Sequence, residues 1–125
     1  MEFSQSKGIY QQIAGQMRDR ILQGEWQEGE RIPSIRELAV EIGVNPNTVT
    51  KSYQTLTDQE AIETRRGRGY FVAEGARARI FEDTRQVFVQ EELPELFRTM
   101  QLLEFNIDEL NDTYMNSLGR GDDEK

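Results

Sequence analysis

The run Asn45-Pro46-Asn47-Thr48-Val49-Thr50-Lys51 concentrates short polar side chains at the start of what reads as a helix. Asn47, Thr48, Thr50 and Lys51 carry donors and acceptors with the reach to touch base edges and phosphates in a DNA major groove. A second group lies at residues 64–72, where Arg65, Arg66 and Arg68 alternate with Gly67 and Gly69 and no acid intervenes. Guanidinium groups on a tight turn suit phosphate contact or insertion near a minor groove. Ser34 and Arg36 form a third group, at a helix start whose free N–H groups suit phosphate oxygens. Each group also has a plain structural reading. A polar helix face is often only solvated, and arginines can simply keep a turn soluble. Ser34 and Asn45 are helix caps first, and Tyr53 reads as core.

The residue types that are missing narrow the chemistry further. The chain has no Cys and no His, which removes disulfides, thiol nucleophiles, imidazole bases and nearly all zinc sites. No catalytic residue, metal or cofactor is expected. An enzyme built on carboxylates such as Glu91 and Glu92 is the weakest reading, because no spaced acidic pair falls in an expected pocket.

The formal net charge is −8, which at first argues against nucleic acid. The distribution qualifies that. Residues 1–72 carry nine Lys and Arg against ten Asp and Glu, whereas residues 73–125 carry six against thirteen. The acidity therefore sits in the C-terminal part, and a local basic patch can bind phosphate on an acidic molecule. At 125 residues, 36% hydrophobic and 30% charged, the chain fits one compact domain, or a small domain with an appendage. No apolar window is long enough to span a membrane. The start, Met1-Glu2-Phe3-Ser4-Gln5, lacks the basic and apolar regions of a secretory signal, so a cytoplasmic protein is expected.

Specific elements must position these groups. Ile9, Ile13, Met17 and Ile21 recur at four-residue steps and predict a helix over 8–24, stopped at Gly24. Residues 25–33 read as loop, with one short strand at Arg31-Ile32. Ser34-Ile35-Arg36-Glu37 is a capping box opening a helix with Leu38, Ala39 and Ile42 inward, ending at Gly43. Asn45 is a good N-cap and Pro46 a good first helical residue for the next helix, which runs to about Glu60 with Val49, Tyr53 and Leu56 on one face. Helix, glycine turn, helix is the helix-turn-helix pattern, and Ala39 is small enough for a close crossing. Ile62 to Arg65, a glycine-arginine turn and Tyr70-Phe71-Val72 then predict a β-hairpin, a wing.

From Ala76 the chain reads as helical. Ile80, Phe81, Thr84, Val87 and Phe88 form one stripe, and Pro94 kinks or restarts the helix. Leu96, Phe97, Met100 and Leu103 continue it. Asn106-Ile107-Asp108-Glu109 resembles another cap, although the 4-3-4-3-4 spacing of positions 96, 100, 103, 107, 110 and 114 also fits one unbroken helix. The break at Asn106 is preferred. A wing domain of some 70 residues cannot cover both sides of these helices. Ile80, Phe81, Phe88, Phe97 and Met100 are therefore expected to meet a second copy. Packing within the monomer is the plainer alternative.

Taken as a set, Ile9-Tyr10-Gln11-Gln12-Ile13, Gly24, Arg31 to Ala39, Gly43 to Lys51 and Arg65 to Val72 resemble GntR-family bacterial transcription regulators over about residues 8–73. The remainder resembles the short helical C-terminal region of the YtrA-type subfamily. The resemblance implies a winged helix-turn-helix repressor that binds double-stranded DNA as a homodimer on a palindromic operator. It implies DNA contacts at Ser34, Arg36, Asn47, Thr48, Thr50, Lys51, Arg66 and Gly67. Other branches often carry Arg where this chain has Pro46 and Thr50, so base specificity should differ and Lys51 should take more of the load. No large effector domain is present, so any small-molecule effector should bind at the dimer interface.

The expected fold is thus mainly α with a small β-hairpin. A winged helix-turn-helix domain (1–73) precedes a short α-helical dimerisation region (74–118) and a polar tail (119–125). The expected DNA-contact set is Ser34, Arg36, Asn45, Asn47, Thr48, Thr50, Lys51, Arg65, Arg66, Gly67 and Arg68. The rival reading is a non-catalytic interaction module working through its acidic C-terminal helices.

Overall fold

The structure, a computed structural model, describes residues 8–123 of the chain. The opening Met1 to Gln5 lies outside the described residues, as do Glu124 and Lys125 at the end of the expected polar tail. The chain divides between Asp83 and Thr84 into two compact units.

In the first unit, α1 (Ile9–Leu22) buries Ile13, Ala14, Met17 and Ile21 on one stripe, as four-residue spacing requires. The chain leaves it through Gly24 at φ +84°. The next helix, α2 (Ile35–Ile42), opens with the Ser34 box. The Glu37 N–H donates to Ser34 Oγ at 3.0 Å, and the Ser34 N–H donates to Glu37 Oε1 at 2.8 Å. Such a cap contributes about 1 kcal/mol. Gly43 closes α2 at φ +70°, where its N–H reaches the Ala39 carbonyl. A side chain at that left-handed position would be strained.

The chain then enters α3 (Pro46–Asp58). Asn45 Oδ1 accepts the Asn47 N–H at 2.7 Å, and Pro46 occupies the first turn. Val49, Ser52, Tyr53 and Leu56 are buried. The helix ends at Asp58, two residues before the expected stop, and Glu60 takes a left-handed φ of +59°.

Strands β1 (Ile62–Arg65) and β2 (Gly69–Val72) pair antiparallel, with Ile62 opposite Val72 and Arg65 opposite Gly69. The strand expected at Arg31-Ile32 is one bridge, Arg31 to Phe71, reinforced by the Ile32 N–H to the Tyr70 carbonyl at 3.0 Å. Together these place the wing beside the loop that leads into α2.

Helix α4 (Ala76–Val87) begins in the first unit. Ala76 and Ile80 are buried in its core, next to residues of α1, α3 and the wing. The first unit therefore extends past the boundary expected at residue 73. Arg77 Nε donates to the Leu22 carbonyl at the end of α1, and Arg79 donates to the carbonyls of Glu60 and Glu74.

In the second unit the helix continues through a π-helical turn (Phe88–Glu92) into α5 (Leu93–Leu102). Pro94 accounts for the turn. It has no N–H, and its ring crowds the carbonyl four residues back, so the backbone widens there. The Leu93 N–H accordingly bonds the Phe88 carbonyl. A break follows, and α6 (Ile107–Asp123) starts at a reciprocal cap. The Glu109 N–H donates to Asn106 Oδ1 at 2.9 Å, and the Asn106 N–H donates to Glu109 Oε1 at 3.1 Å. The region is thus two helices, not one. Helical backbone persists to Asp123, into the segment expected as a polar tail from Gly119.

Candidate nucleic-acid interface

The α3 start, the α2 start and the wing carry the expected DNA-contact residues. On α3, Asn47, Thr50 and Lys51 are exposed and Thr48 is half-buried. The Thr50 hydroxyl donates to the Pro46 carbonyl at 3.0 Å, which leaves its oxygen as an acceptor. Lys51 Nζ lies 5.9 Å from the centre of the Tyr10 ring, at the outer limit of a cation–π contact. Asn45 is committed to its cap through Oδ1. Ser34 is similarly engaged as an acceptor, while the first N–H groups of α2 lack intrahelical acceptors.

The wing arginines are not equivalent. Arg65 Nε donates to Glu63 Oε2 at 3.1 Å, and its guanidinium lies 4.2 Å from the Phe71 ring centre. That pairing draws Arg65 back along the hairpin and departs from the expectation that it matches Arg66 and Arg68. Arg66 and Arg68 flank Gly67, which sits at φ +73°, and both are exposed. The turn closes through the Arg68 N–H to the Arg65 carbonyl at 2.8 Å.

Ten Lys and Arg residues lie between positions 8 and 83. Arg18, Arg20, Arg31, Arg65, Arg77 and Arg79 all donate side-chain hydrogen bonds within the chain. The side chains of Arg36, Lys51, Arg66 and Arg68 donate none and join no ion pair among the described residues. Between positions 8 and 83 the cations without such a bond are thus one on α2, one on α3 and two on the wing tip, of which Lys51 and Arg68 lie 5.9 Å from the ring centres of Tyr10 and Phe71. Exposed cations without such partners keep all their N–H donors for an external anion.

Three features were not read from the sequence. Arg31 supports the wing by donating from Nε to the Arg68 carbonyl at 3.2 Å. Ser52 is fully buried, and its hydroxyl donates to the Tyr10 carbonyl at 2.8 Å, tying the start of α1 to α3. Tyr53 donates to the Pro33 carbonyl and stacks edge-on against Tyr70. Only the glycine at position 69, which makes room for Arg31, left a trace of these contacts in the sequence.

The apolar residues expected to meet a second copy divide. Ile80 is 5% exposed and packs in the first unit's own core, so it is not available to a partner. The correction follows from helical phase, since α4 turns Ala76 and Ile80 inward together. Phe81, Phe88 and Phe97 are each close to half exposed, and Met100 is half-buried. None of residues 84–119 is buried. Among the described residues, no group of three or more acidic side chains is arranged to hold a metal, and no helix is long and apolar enough to cross a membrane.

Residues 9–72 match the family model described as bacterial regulatory proteins, gntR family. The chain is 42% identical over 91 residues to the HTH-type transcriptional repressor YtrA of Bacillus subtilis, covering 73% of this chain and 69% of that protein. It is 36% identical over 109 residues to the HTH-type transcriptional regulator YhcF of the same organism, covering 87% and 88%. Among solved structures, a putative GntR-family transcriptional regulator from Bacteroides thetaiotaomicron superposes with a TM-score of 0.69 at 42% identity, over 90% of this chain and 99% of that one. With its helix-turn-helix, its wing and its helical C-terminal region, this chain is a DNA-binding transcription regulator and belongs to the GntR family.

Proposed function

We propose that the protein is a homodimeric repressor that reads a palindromic operator. The start of α3 enters the major groove, with Asn47, Thr48, Thr50 and Lys51 toward the bases. Ser34 and Arg36 hold phosphate from the start of α2. Arg66, Gly67 and Arg68 approach the backbone or minor groove from the wing, while Asn45 shapes the helix start and Arg65 stays paired to Glu63. The observation that carries this reading is the set of described cations of the first unit with no hydrogen-bond or ion-pair partner. Arg36, Lys51, Arg66 and Arg68 stand on the three elements that a winged helix-turn-helix offers to DNA, whereas every other described cation of the first unit has such a partner inside the chain.

Dimerisation has its own support. Helices with an apolar stripe must cover it, yet Phe88, Phe97, Leu102, Leu103 and Ile107 are 46%, 46%, 69%, 72% and 64% exposed. A second copy covers such a face symmetrically and couples two half-sites, which multiplies a modest single-head affinity. The similarity to a protein named a repressor favours repression, by a dimer that occludes a promoter in the cytoplasm. A small-molecule effector fits this scheme at the dimer interface. An apolar groove of about 470 Å³ between α5 and α6, lined by Phe97, Met100, Phe105 and Ile107, is of suitable size. The function requires no catalytic step.

Selection of bound sites from a random duplex pool, followed by mobility-shift titration across salt, tests the proposal. Expected are two inverted half-sites about one helical turn apart and an affinity that falls steeply with salt. A chain that binds no duplex at ~100 mM salt acts instead as a protein-interaction module. Recovery of single, unrepeated half-sites would remove the palindrome and with it the dimeric mode of reading.

A further inference from the structure

The three elements assigned to DNA must keep fixed distances from one another, because phosphate and base positions on a duplex are fixed. One buried side chain touches all three. Tyr53 lies in α3 at 1% exposure. Its hydroxyl donates to the carbonyl of Pro33, the residue immediately before the α2 cap Ser34. Its ring meets that of Tyr70 in β2 edge-on, with centroids 4.7 Å apart and planes at 84°. The Tyr70 carbonyl in turn accepts the Ile32 N–H at 3.0 Å. The α2 entry and the wing strand are thus joined to each other and, through Tyr53, to the groove-reading helix. A buried tyrosine hydroxyl must find a hydrogen-bond partner, and the partner it finds decides which segment it fixes. The hydroxyl adds nothing to apolar packing, and its partner is the Pro33 carbonyl. Burial pushes the phenol well above its ordinary pKa, so it remains a donor throughout the working range.

We propose that Tyr53 is a positioning residue for DNA recognition: its hydroxyl sets the Ser34–Arg36 arm, and its ring sets the wing, at the spacing α3 needs on the duplex. The inference rests on the assignment of Arg36 and Arg66 to DNA. Tyr53 itself touches no DNA. It acts through Pro33 on one side and Tyr70 on the other.

Double-mutant cycles in the full chain, read as Kd for a duplex recovered by the selection above, separate this role from a merely structural one. Denaturation midpoints first establish that every variant is folded at the binding temperature. Tyr53→Phe keeps the ring and loses the hydrogen bond, and should weaken binding about five-fold. In an Arg36→Ala background that loss should largely vanish, because the arm it positions no longer contributes. In an Arg66→Ala background it should persist in full. Tyr70→Leu removes the edge contact and should show the opposite pattern, with its loss absorbed by Arg66→Ala and not by Arg36→Ala. A structural role alone moves the denaturation midpoint and leaves these cycles additive. Unchanged Kd for Tyr53→Phe, or a loss that persists undiminished with Arg36→Ala, overturns the proposal while leaving the DNA reading intact. Absence of duplex binding by the unmodified chain overturns both.

Discussion

Arg31 and Arg68 are bound across the wing, with Arg31 Nε donating to the Arg68 backbone carbonyl at 3.2 Å. The Arg31 side chain passes directly over Gly69. A Cβ built there would lie 3.2 Å from Arg31 Nε, and Gly69 sits at φ +112°, a conformation that side chains rarely adopt. Gly69→Ala should therefore strain the backbone and displace Arg31 together, costing about 1–3 kcal/mol of stability. Urea denaturation measures this. A midpoint equal to that of the unmodified chain would show that the turn relaxes without cost.

The arginines of the wing should differ in their effect on DNA binding. Arg66→Ala and Arg68→Ala should each weaken binding to all duplexes alike and reduce the salt slope, by roughly 0.9 for each phosphate that is no longer neutralised. Arg65→Ala should leave the slope almost unchanged, because its guanidinium is engaged by Glu63 and Phe71. Equal slopes for all three variants would contradict the distinction drawn from their geometry.

Lys51 should instead govern sequence preference. Its replacement by Ala should cost ~1–3 kcal/mol on the selected operator and much less on random duplex, the signature of a side chain that reads a base. Competition titrations with both duplexes give the comparison. An equal effect on the two would reassign Lys51 to phosphate.

Acid should loosen the α2 start. The backbone N–H of Ser34, and then its side chain, hold the Glu37 carboxyl below its ordinary value of 4.5. A depressed folded-state pKa means that the contribution to stability is present above the unfolded value and is lost as pH falls through the folded one. Thermal midpoints taken between about pH 6 and pH 3 should therefore drop less for Glu37→Gln than for the unmodified chain. Parallel curves would place the acid sensitivity elsewhere.

The second unit should depend on association. Phe97→Asp puts a charge on a half-exposed apolar position beside the α5–α6 groove. Sedimentation should show the unmodified chain as the proposed dimer and this variant as a monomer, and operator affinity should fall with it. A variant that still sediments as a dimer would remove Phe97 from the interface.

What was legible in the residues was local. Ser34 with Glu37, Asn45 with Pro46, and Asn106 with Glu109 are caps made within three residues of one another, and the structure has all three. The inward faces of α1 and α3 follow from helical periodicity, and the wing from β-rich residues on either side of a glycine turn. These features depend on short-range sterics and hydrogen bonding, which neighbouring residues decide between themselves. Pro94 was legible as a disturbance. That it yields a π-helical turn was not, because several backbone paths accommodate a missing N–H.

The sequence by itself determined the elements, their order and the charged groups that each carries. Tertiary structure alone decided which of those groups remain available. Ile80 was consumed by the core through the phase of α4, and Arg65 by Glu63 and Phe71. Arg31 was recruited to a carbonyl 37 positions away, Ser52 to one 42 positions away, and Tyr53 to one 20 positions away. Partners so distant along the chain meet only after the elements have packed. Residue type announces a donor, and only the fold supplies its acceptor.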